Sequence, residues 1–486
     1  MTGSPEKGLQ ADIFVNRNGL VTQAEFRADF PQHDEDFLRG EAFDAGIRIP
    51  ARMFGFCGGS HQLAAVNALE HIADVLPPPN ARLIRSIAQA TEILQNSIRW
   101  FYTTFAPDLT HSRFSASAQH QHLSERFSKM RGTSFRPGIF AATMPMRLYT
   151  LFAGQWPHAD FIQAGGVKVS LTKELLKAAV AFLDQYQKEW LEAVWLKGSL
   201  DRYLAAESWQ DLAVWLLEGK HAQSDLGLLI QGGLDLGLDE IGQKSGSFLA
   251  YGTFWDPTFS GPNQAEALLQ QHIMPGGLLN QTRLQTINVG DLMNFMAPHA
   301  GVNQPFLPKE TEVGPLARML MAGQDSYQNK PAAHPLIHDV VRQKGAGVFS
   351  RVLARMHEVC LLTRLVRDWI QAIEINGPLA ENVPVPDGIG LGLTEAPRGA
   401  LAHYVELENQ RIKHYRILPP TLLNVQAHLS KGNASPLEVS LRGLTIQDLQ
   451  KPVEVGLIAR SFDSCQVCDI TFHKSRSKKE LHKIQV

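Results

Sequence analysis

The chain has 486 residues, 44% hydrophobic and 19% charged, which supplies a large core and excludes a disordered or fibrous protein. A formal net charge of −2 sets up no global field for nucleic acid or an anionic membrane, so binding must arise at local sites. No run of about 18 apolar residues occurs, and the opening MTGSPEKGLQADIF lacks the basic-then-apolar layout of a secretory leader. The expected location is therefore the cytoplasm, with membrane association only through partner subunits.

Residues 11–30 alternate polar and apolar side chains around Asn18-Gly19, a strong hairpin signal because both central positions tolerate positive φ. From 58 to 130 the spacing is helical, with Ala64, Ala65, Ala68, Leu69 and Ile72 on one stripe and Leu83, Ile87, Ala90 and Leu94 on the next. Ser170 is the expected N-cap of a further long helix carrying Leu175, Ala179, Leu183, Tyr186 and Trp190. Residues 222–310, rich in Gly, Pro and Asn, read as loops and small strands. A helix is expected over 347–373, through Leu353, Met356, Leu361, Leu365 and Trp369. Three prolines and three glycines between Gly377 and Gly390 punctuate the chain before a second hairpin over 402–418, turning near Asn409-Gln410. Phe472 to Val486 carries five Lys/Arg and one acidic residue and reads as a solvated basic tail. The expected fold class is α+β: one unit over 1–486, a long-helix bundle core with small peripheral β elements and a basic extension at 472–486.

The chain has four cysteines, too few for a disulfide framework at this length, which favours a reducing compartment or metal ligation. Cys465-Gln-Val-Cys468, following Asp463, is a CxxC whose thiolates suit one metal ion or a redox disulfide. No second pair lies nearby to complete a zinc knuckle. Cys57 and His61 are four residues apart and share a face if a helix begins there; taken singly, they read as a small buried hydrophobe and a satisfied core histidine. Cys360 lies in an apolar helical run and reads as core.

Arg52-Met-Phe54-Gly-Phe-Cys57-Gly-Gly-Ser-His61 resembles the RxCGxCxxxH signature of [NiFe]-hydrogenase large subunits, and Phe462-Asp463-Ser-Cys465-Gln-Val-Cys468 resembles their FDPCxxCxxH signature. Between them Glu312-Val-Gly-Pro-Leu-Ala-Arg318 resembles EVGPLAR, Glu395-Ala-Pro397-Arg398-Gly-Ala-Leu401 resembles EAPRGALGH, and Pro420-Thr421 to Asn424 resembles VPTTWN, in the family's order. Ala164 to Val167 is similar to its PGGV turn. The resemblance implies a hydrogenase large-subunit-like fold with both cysteine motifs meeting in the buried centre.

It further implies Cys57 and Cys468 as thiolates bridging nickel and iron, and Cys465 as a terminal nickel ligand. Arg398, with Pro397 before it, overhangs the pair; Thr421 helps hold a cyanide on iron; His61 and Asp463 lie just outside the ligand sphere. An always-charged guanidinium suits an iron bearing cyanide and carbon monoxide. Departures from the pattern are equally specific. Phe54 stands at the second terminal nickel position, where it cannot coordinate. Thr471 replaces a histidine that ligates magnesium in the family, leaving His473 displaced by two residues, so magnesium is not expected. The proton-relay glutamate of the family's N-terminal segment has no clear counterpart, although proton transfer needs a positioned acid or base.

Because the losses fall on the nickel side, the favoured expectation is an assembly protein holding an iron fragment of the Fe(CN)2CO type through Cys57 and Cys468, with hydrogenase maturation proteins as partners. The alternatives are a divergent uptake hydrogenase large subunit oxidising H2 beside an iron–sulfur small subunit, with nickel retained, and a metal-free structural subunit of a redox complex.

Overall fold

The structure is a computed structural model that describes residues 9–28, 38–244, 246–256, 272–280, 283–298, 307–324, 329, 332–425, 434–464, 468–474 and 479–485. Its helices include α1 (Ala45–Met53), α2 (Gly58–Ala73), α3 (Pro79–Trp100), α4 (Phe135–Ala153), α5 (Lys173–Tyr186), α6 (Asp225–Asp235), α7 (Pro315–Ala322), α8 (Val348–Ala372) and α9 (Val453–Ser461). None among the described residues is long and apolar enough to cross a membrane.

Two helices form the centre. α3 starts with Pro79 at its first position, where the missing N–H costs nothing, and is buried on every side from Asn80 to Ser97. An amphipathic stripe is thus only part of its character: its polar side chains are also interior, and several find partners there. Arg85 donates to Glu70 of α2 at 2.7 and 3.0 Å, and Gln89 to Thr394 Oγ1 at 2.7 Å. α8 packs alongside and carries Arg351, Arg355 and Glu358 into the same interior.

Both expected hairpins form. β1 (Leu9–Val15) and β2 (Val21–Ala28) pair antiparallel, with Leu9, Ala11, Ile13 and Val15 buried in alternation. Only Gly19 in the turn takes positive φ, +76°, while Asn16 Oδ1 accepts from the N–H groups of Asn18 and Leu20. The second hairpin joins β4 (Gly399–Glu408) to β5 (Arg411–Leu418) through Asn409 and Gln410, both with positive φ. A further strand, β3 (Gly388–Ala396), completes that sheet in the order β3-β4-β5 and lies against α2.

Three expectations need correction. The helix after residue 170 begins at Lys173, capped by Thr172, whose Oγ1 accepts from Leu175 N at 3.1 Å; Ser170 lies outside it. The 222–310 region does contain short strands, but also α6, whose glycines disguise a helix capped by Ser224 and anchored by buried Leu226, Leu229 and Ile230. The carboxyl-terminal stretch is not a solvated tail. β6 (Cys468–Lys474) pairs parallel with β1, and β7 (Lys479–Gln485) pairs antiparallel with β6, giving a sheet β7-β6-β1-β2 with Ile470 and Phe472 fully buried.

Candidate metal centre

Cys57 sits at the amino-terminal end of α2, buried, its Sγ donating to Phe54 O at 3.3 Å. The first turn of a helix has N–H groups without intrahelical partners, and here a carboxylate from the neighbouring helix takes them. Glu92 of α3 accepts from Gly59 N at 2.8 Å on Oε2, and from Ser60 N at 3.0 Å and Ser60 Oγ at 2.5 Å on Oε1. A Cβ at residue 59 would stand 2.8 Å from that carboxylate, so the Gly-Gly-Ser run permits the approach. Burial pushes the Glu92 carboxyl up to about 7, against the pull of its donors and of Arg398.

His61, one turn further on, lies flat against Phe54, with ring centroids 4.0 Å apart and planes 10° from parallel. Its Nδ1 meets His403 Nε2 at 2.9 Å, His403 Nδ1 meets the Tyr415 hydroxyl at 2.7 Å, and that hydroxyl donates to Gly46 O at 3.2 Å. Burial pushes His61 down to about 3 and His403 well below its ordinary range, so both rings are neutral.

The Pro397-Arg398 turn between β3 and β4 faces this helix end. Arg398 Nε donates to Asp463 O at 2.8 Å and stands 3.5 Å from its Oδ2, while Arg355 of α8 reaches the same carboxylate at 3.2 Å. Two guanidiniums thus share one carboxylate in a buried place. Arg355 Nη2 has no hydrogen-bond partner among the described residues, and burial pushes Arg355 down to about 10. Beneath them Arg318 of α7 donates to Glu358 at 2.6 and 2.7 Å and to Glu395 at 3.0 Å, tying α7, α8 and β3 together.

Each resembling segment is thereby bound to another. Gly314 and Gly399 meet backbone to backbone, both at positive φ (+136° and +131°), and a Cβ at 399 would lie 2.6 Å from Gly314 N. Asn424 bridges to Val313 N and O at 3.1 and 3.0 Å, which docks the short helix carrying buried Thr421 onto the same strip. Asp463, two residues before Cys465, shares Arg398 with the environment of Glu92, which holds the residues just after Cys57.

Of the residues expected in the site, Cys57, His61, Pro397, Arg398 and Asp463 come together, Thr421 is docked beside them, and Phe54 fills its position with a benzyl ring. Cys465 lies outside the described residues, and Cys468 enters as the first residue of β6, opposite Leu9. Cys360 is core, as expected. Thr471 lies in β6, and His473 is engaged by Asp12 at 2.7 Å rather than facing the site. Among the described residues no three His, Cys, Asp or Glu side chains gather as a complete metal-ion site.

Sequence reading missed Glu92, Arg355, Glu358, His403 and Tyr415. The signal for the first three was a charge set within an apolar helical stripe, which a buried network explains and a surface helix would not. The described half of the site fits a thiolate-bound metal: a buried thiol at a helix end held by Glu92, with the Arg398–Asp463–Arg355 cluster near that carboxylate, where added negative charge would be stabilised.

A family model described as nickel-dependent hydrogenase matches residues 35–135 and 304–471, more than half the chain. The chain is 24% identical over 500 residues to the periplasmic [NiFeSe] hydrogenase large subunit of Desulfomicrobium baculatum, covering 96% of this chain and 92% of that one. Against the hydrogenase-2 large chain of Escherichia coli (strain K12) it is 24% identical over 554 residues, covering 96% and 95%. The solved H2-activated [NiFeSe]-hydrogenase of Dm. baculatum superposes with a TM-score of 0.71 at 22% identity, covering 92% of this chain and 94% of that one, which shows a shared α+β fold. The buried segments just described are the ones the family model spans at either end of the chain, and the chain belongs to the nickel-dependent hydrogenase family.

Proposed function

We propose that this chain is the metal-bearing large subunit of a hydrogenase, acting beside an iron–sulfur small subunit and holding a nickel–iron centre through Cys57, Cys465 and Cys468. The observation that carries this reading is the convergence of Arg398 and Arg355 on Asp463, with Arg398 acting also on Glu92, which holds the residues just after Cys57. End-to-end similarity to hydrogenase large subunits supports it over the assembly role that the sequence departures favoured.

When bound, such a centre supplies the Lewis-acid and redox chemistry that activates H2. The chain's own residues do the rest. Arg398, pinned by Asp463 O, offers fixed donors above the site, and Arg355 balances negative charge from thiolates. Glu92 Oε2, which among the described residues accepts from Gly59 N alone, retains a lone pair that can hold a proton, and a pKa of about 7 lets it exchange that proton near neutrality. It is the buried carboxyl that can serve where the family's relay glutamate has no counterpart.

A second reading rests on Phe54: with a benzyl ring at a nickel-donor position, the site would hold iron with its cyanide and carbonyl ligands and pass it on. Metal analysis and infrared spectroscopy on the chain isolated with its partner decide between them. Iron, nickel, cyanide and carbonyl bands and H2-dependent dye reduction are expected from the enzyme. Iron with those bands but no nickel supports the assembly role, and the absence of both metals points to a structural subunit. Arg398→Lys should retain metal while lowering H2 turnover at least tenfold, as a rigid fork is replaced by a mobile point charge.

A further inference from the structure

A cavity of about 380 Å3 lies apart from the metal centre and shares none of its residues. The helix His120–Phe127, the end of the π-helical segment Gln187–Leu196 and the start of α6 enclose it, and its size is that of a small-molecule site. Arg126 is fixed in its lining: Nε donates to Ser134 Oγ at 2.8 Å, and Nη2 pairs with buried Asp225. Asp225 also accepts from Ser134 Oγ at 2.9 Å and from the Tyr102 hydroxyl at 2.6 Å, so its charge is already compensated. Lys197 is the second cation of the lining, and no hydrogen bond or ion pair among the described residues engages its ammonium. Burial and the nearby Arg126 push that ammonium below its ordinary value, with Lys220 adding to the repulsion and Asp225 opposing it. Glu125, the one carboxylate of the lining, is exposed and accepts from Gln121 Nε2 at 2.9 Å.

The backbone holds Lys197 in place. It lies in the left-handed region, φ 48° and ψ 42°, which side chains of L residues rarely adopt. Its neighbours enforce that conformation. His221, stacked on Trp215 with ring centroids 4.4 Å apart, donates from Nδ1 to Leu196 O at 2.9 Å, and Gly198 N donates to Glu192 O at 3.0 Å. A Cβ on residue 198 would stand 2.0 Å from His221 Cε1, so the chain has no room to shift there. A lysine kept where glycine would be relaxed points to a role for its side chain. On the α6 side Gln231 Nε2 donates to Ala222 O at 2.8 Å and Gly227 O at 3.1 Å, which braces that wall, and Leu228 adds apolar surface. We propose that this cavity binds a small organic acid by its oxyanion, carboxylate or phosphate, with Lys197 as the charge partner and Arg126 as a fixed positive wall. A bound oxyanion compensates the ammonium that the protein leaves unpaired, and the carbon skeleton lies against Leu228. The inference does not depend on the metal-bearing reading.

The test is calorimetric titration of the full chain, isolated with its partner subunit, using inorganic phosphate, glycerol 3-phosphate and succinate at an ionic strength fixed with chloride. At least one probe should bind with a dissociation constant below about 1 mM. Tighter binding of succinate assigns a carboxylate ligand, and tighter binding of either phosphate probe assigns a phosphoryl one. Lys197→Gly should weaken binding about tenfold or more while melting no lower than the unaltered chain, because glycine suits a φ of 48°. Lys197→Asn, whose side chain tolerates the same conformation, should lose binding to the same extent and guards against a folding defect in the first variant. Metal content should be equal in all three chains. If none of the probes binds below that limit, or if both variants keep the affinity of the unaltered chain, the proposal is overturned.

Discussion

Glu92 is the residue on which the first cysteine segment rests, since its two oxygens take three donors from Gly59 and Ser60 while Arg398 lies near enough to act on its charge. Replacing one oxygen by an amide sets an N–H donor against another donor, so Glu92→Gln should cost about 1–3 kcal/mol of folding stability, read as a lower urea midpoint. Its pH behaviour carries a sign. Burial raises both Glu92 and Glu395 from 4.5 to about 7. Between those values the folded chain holds protons the unfolded chain has released, so stability falls as pH rises through that window and levels off above it. The buried neutral His61 and His403 act in the opposite sense below about pH 6.5, so the comparison isolates Glu92: the difference in urea midpoint between the unaltered chain and Glu92→Gln should shrink from pH 5 to 8, and a difference that grows with pH would contradict the assignment.

At the level of elements, the sequence carried most of the site because its motifs are contacts. Arg318 of one segment holds Glu395 of another, Asn424 holds Val313, and Gly314 touches Gly399, so each fragment has its partner in a different fragment. What it did not carry were the partners supplied by α3 and α8. Glu92, Arg355 and Glu358 sit within apolar helical spacing, and periodicity alone assigns such residues to an outer face; only the packing of both helices at the centre turns that face inward. The hairpins were legible for a local reason, turn residues tolerant of positive φ, whereas α6 was hidden because Gly227, Gly232 and Gly233 look like a loop until Ser224 caps them. The Gly314–Gly399 contact is the sharpest dependence at this scale. A methyl at 399 meets Gly314 N at 2.6 Å on a backbone with φ of +131°, so Gly399→Ala should cost about 3 kcal/mol. Arg398 is the preceding residue, so bound iron should fall with stability. A variant that keeps both would mean the turn does not set the position of the guanidinium.

Across the whole molecule, strands from the two ends of the described chain share one sheet. β6 runs parallel to β1 from Leu9 opposite Cys468 to Val15 opposite Lys474, and β7 closes over β6, so the second cysteine motif is tied to the amino-terminal strand immediately after its last cysteine. Composition could not reveal this: Lys-rich strands at the edge of a sheet are spelled like a solvated tail, and the alternation of buried Ile470 and Phe472 is too short to stand out. The arrangement gives residues 472–486 a structural duty that a detachable extension lacks. Phe472 is fully buried in register with Ile13, and His473 is bonded to Asp12. Removing residues 472–486 should uncover Ile13, forfeit about 2 kcal/mol from Phe472 alone, and leave β1 with an unpaired edge prone to association. A chain ending at Thr471 should therefore melt several degrees lower, in thermal unfolding by circular dichroism, and form larger species in size-exclusion chromatography. The same chain supplied with a synthetic peptide of residues 472–486 should recover part of the loss; equal melting temperatures with and without these residues would return them to the status of an appendage.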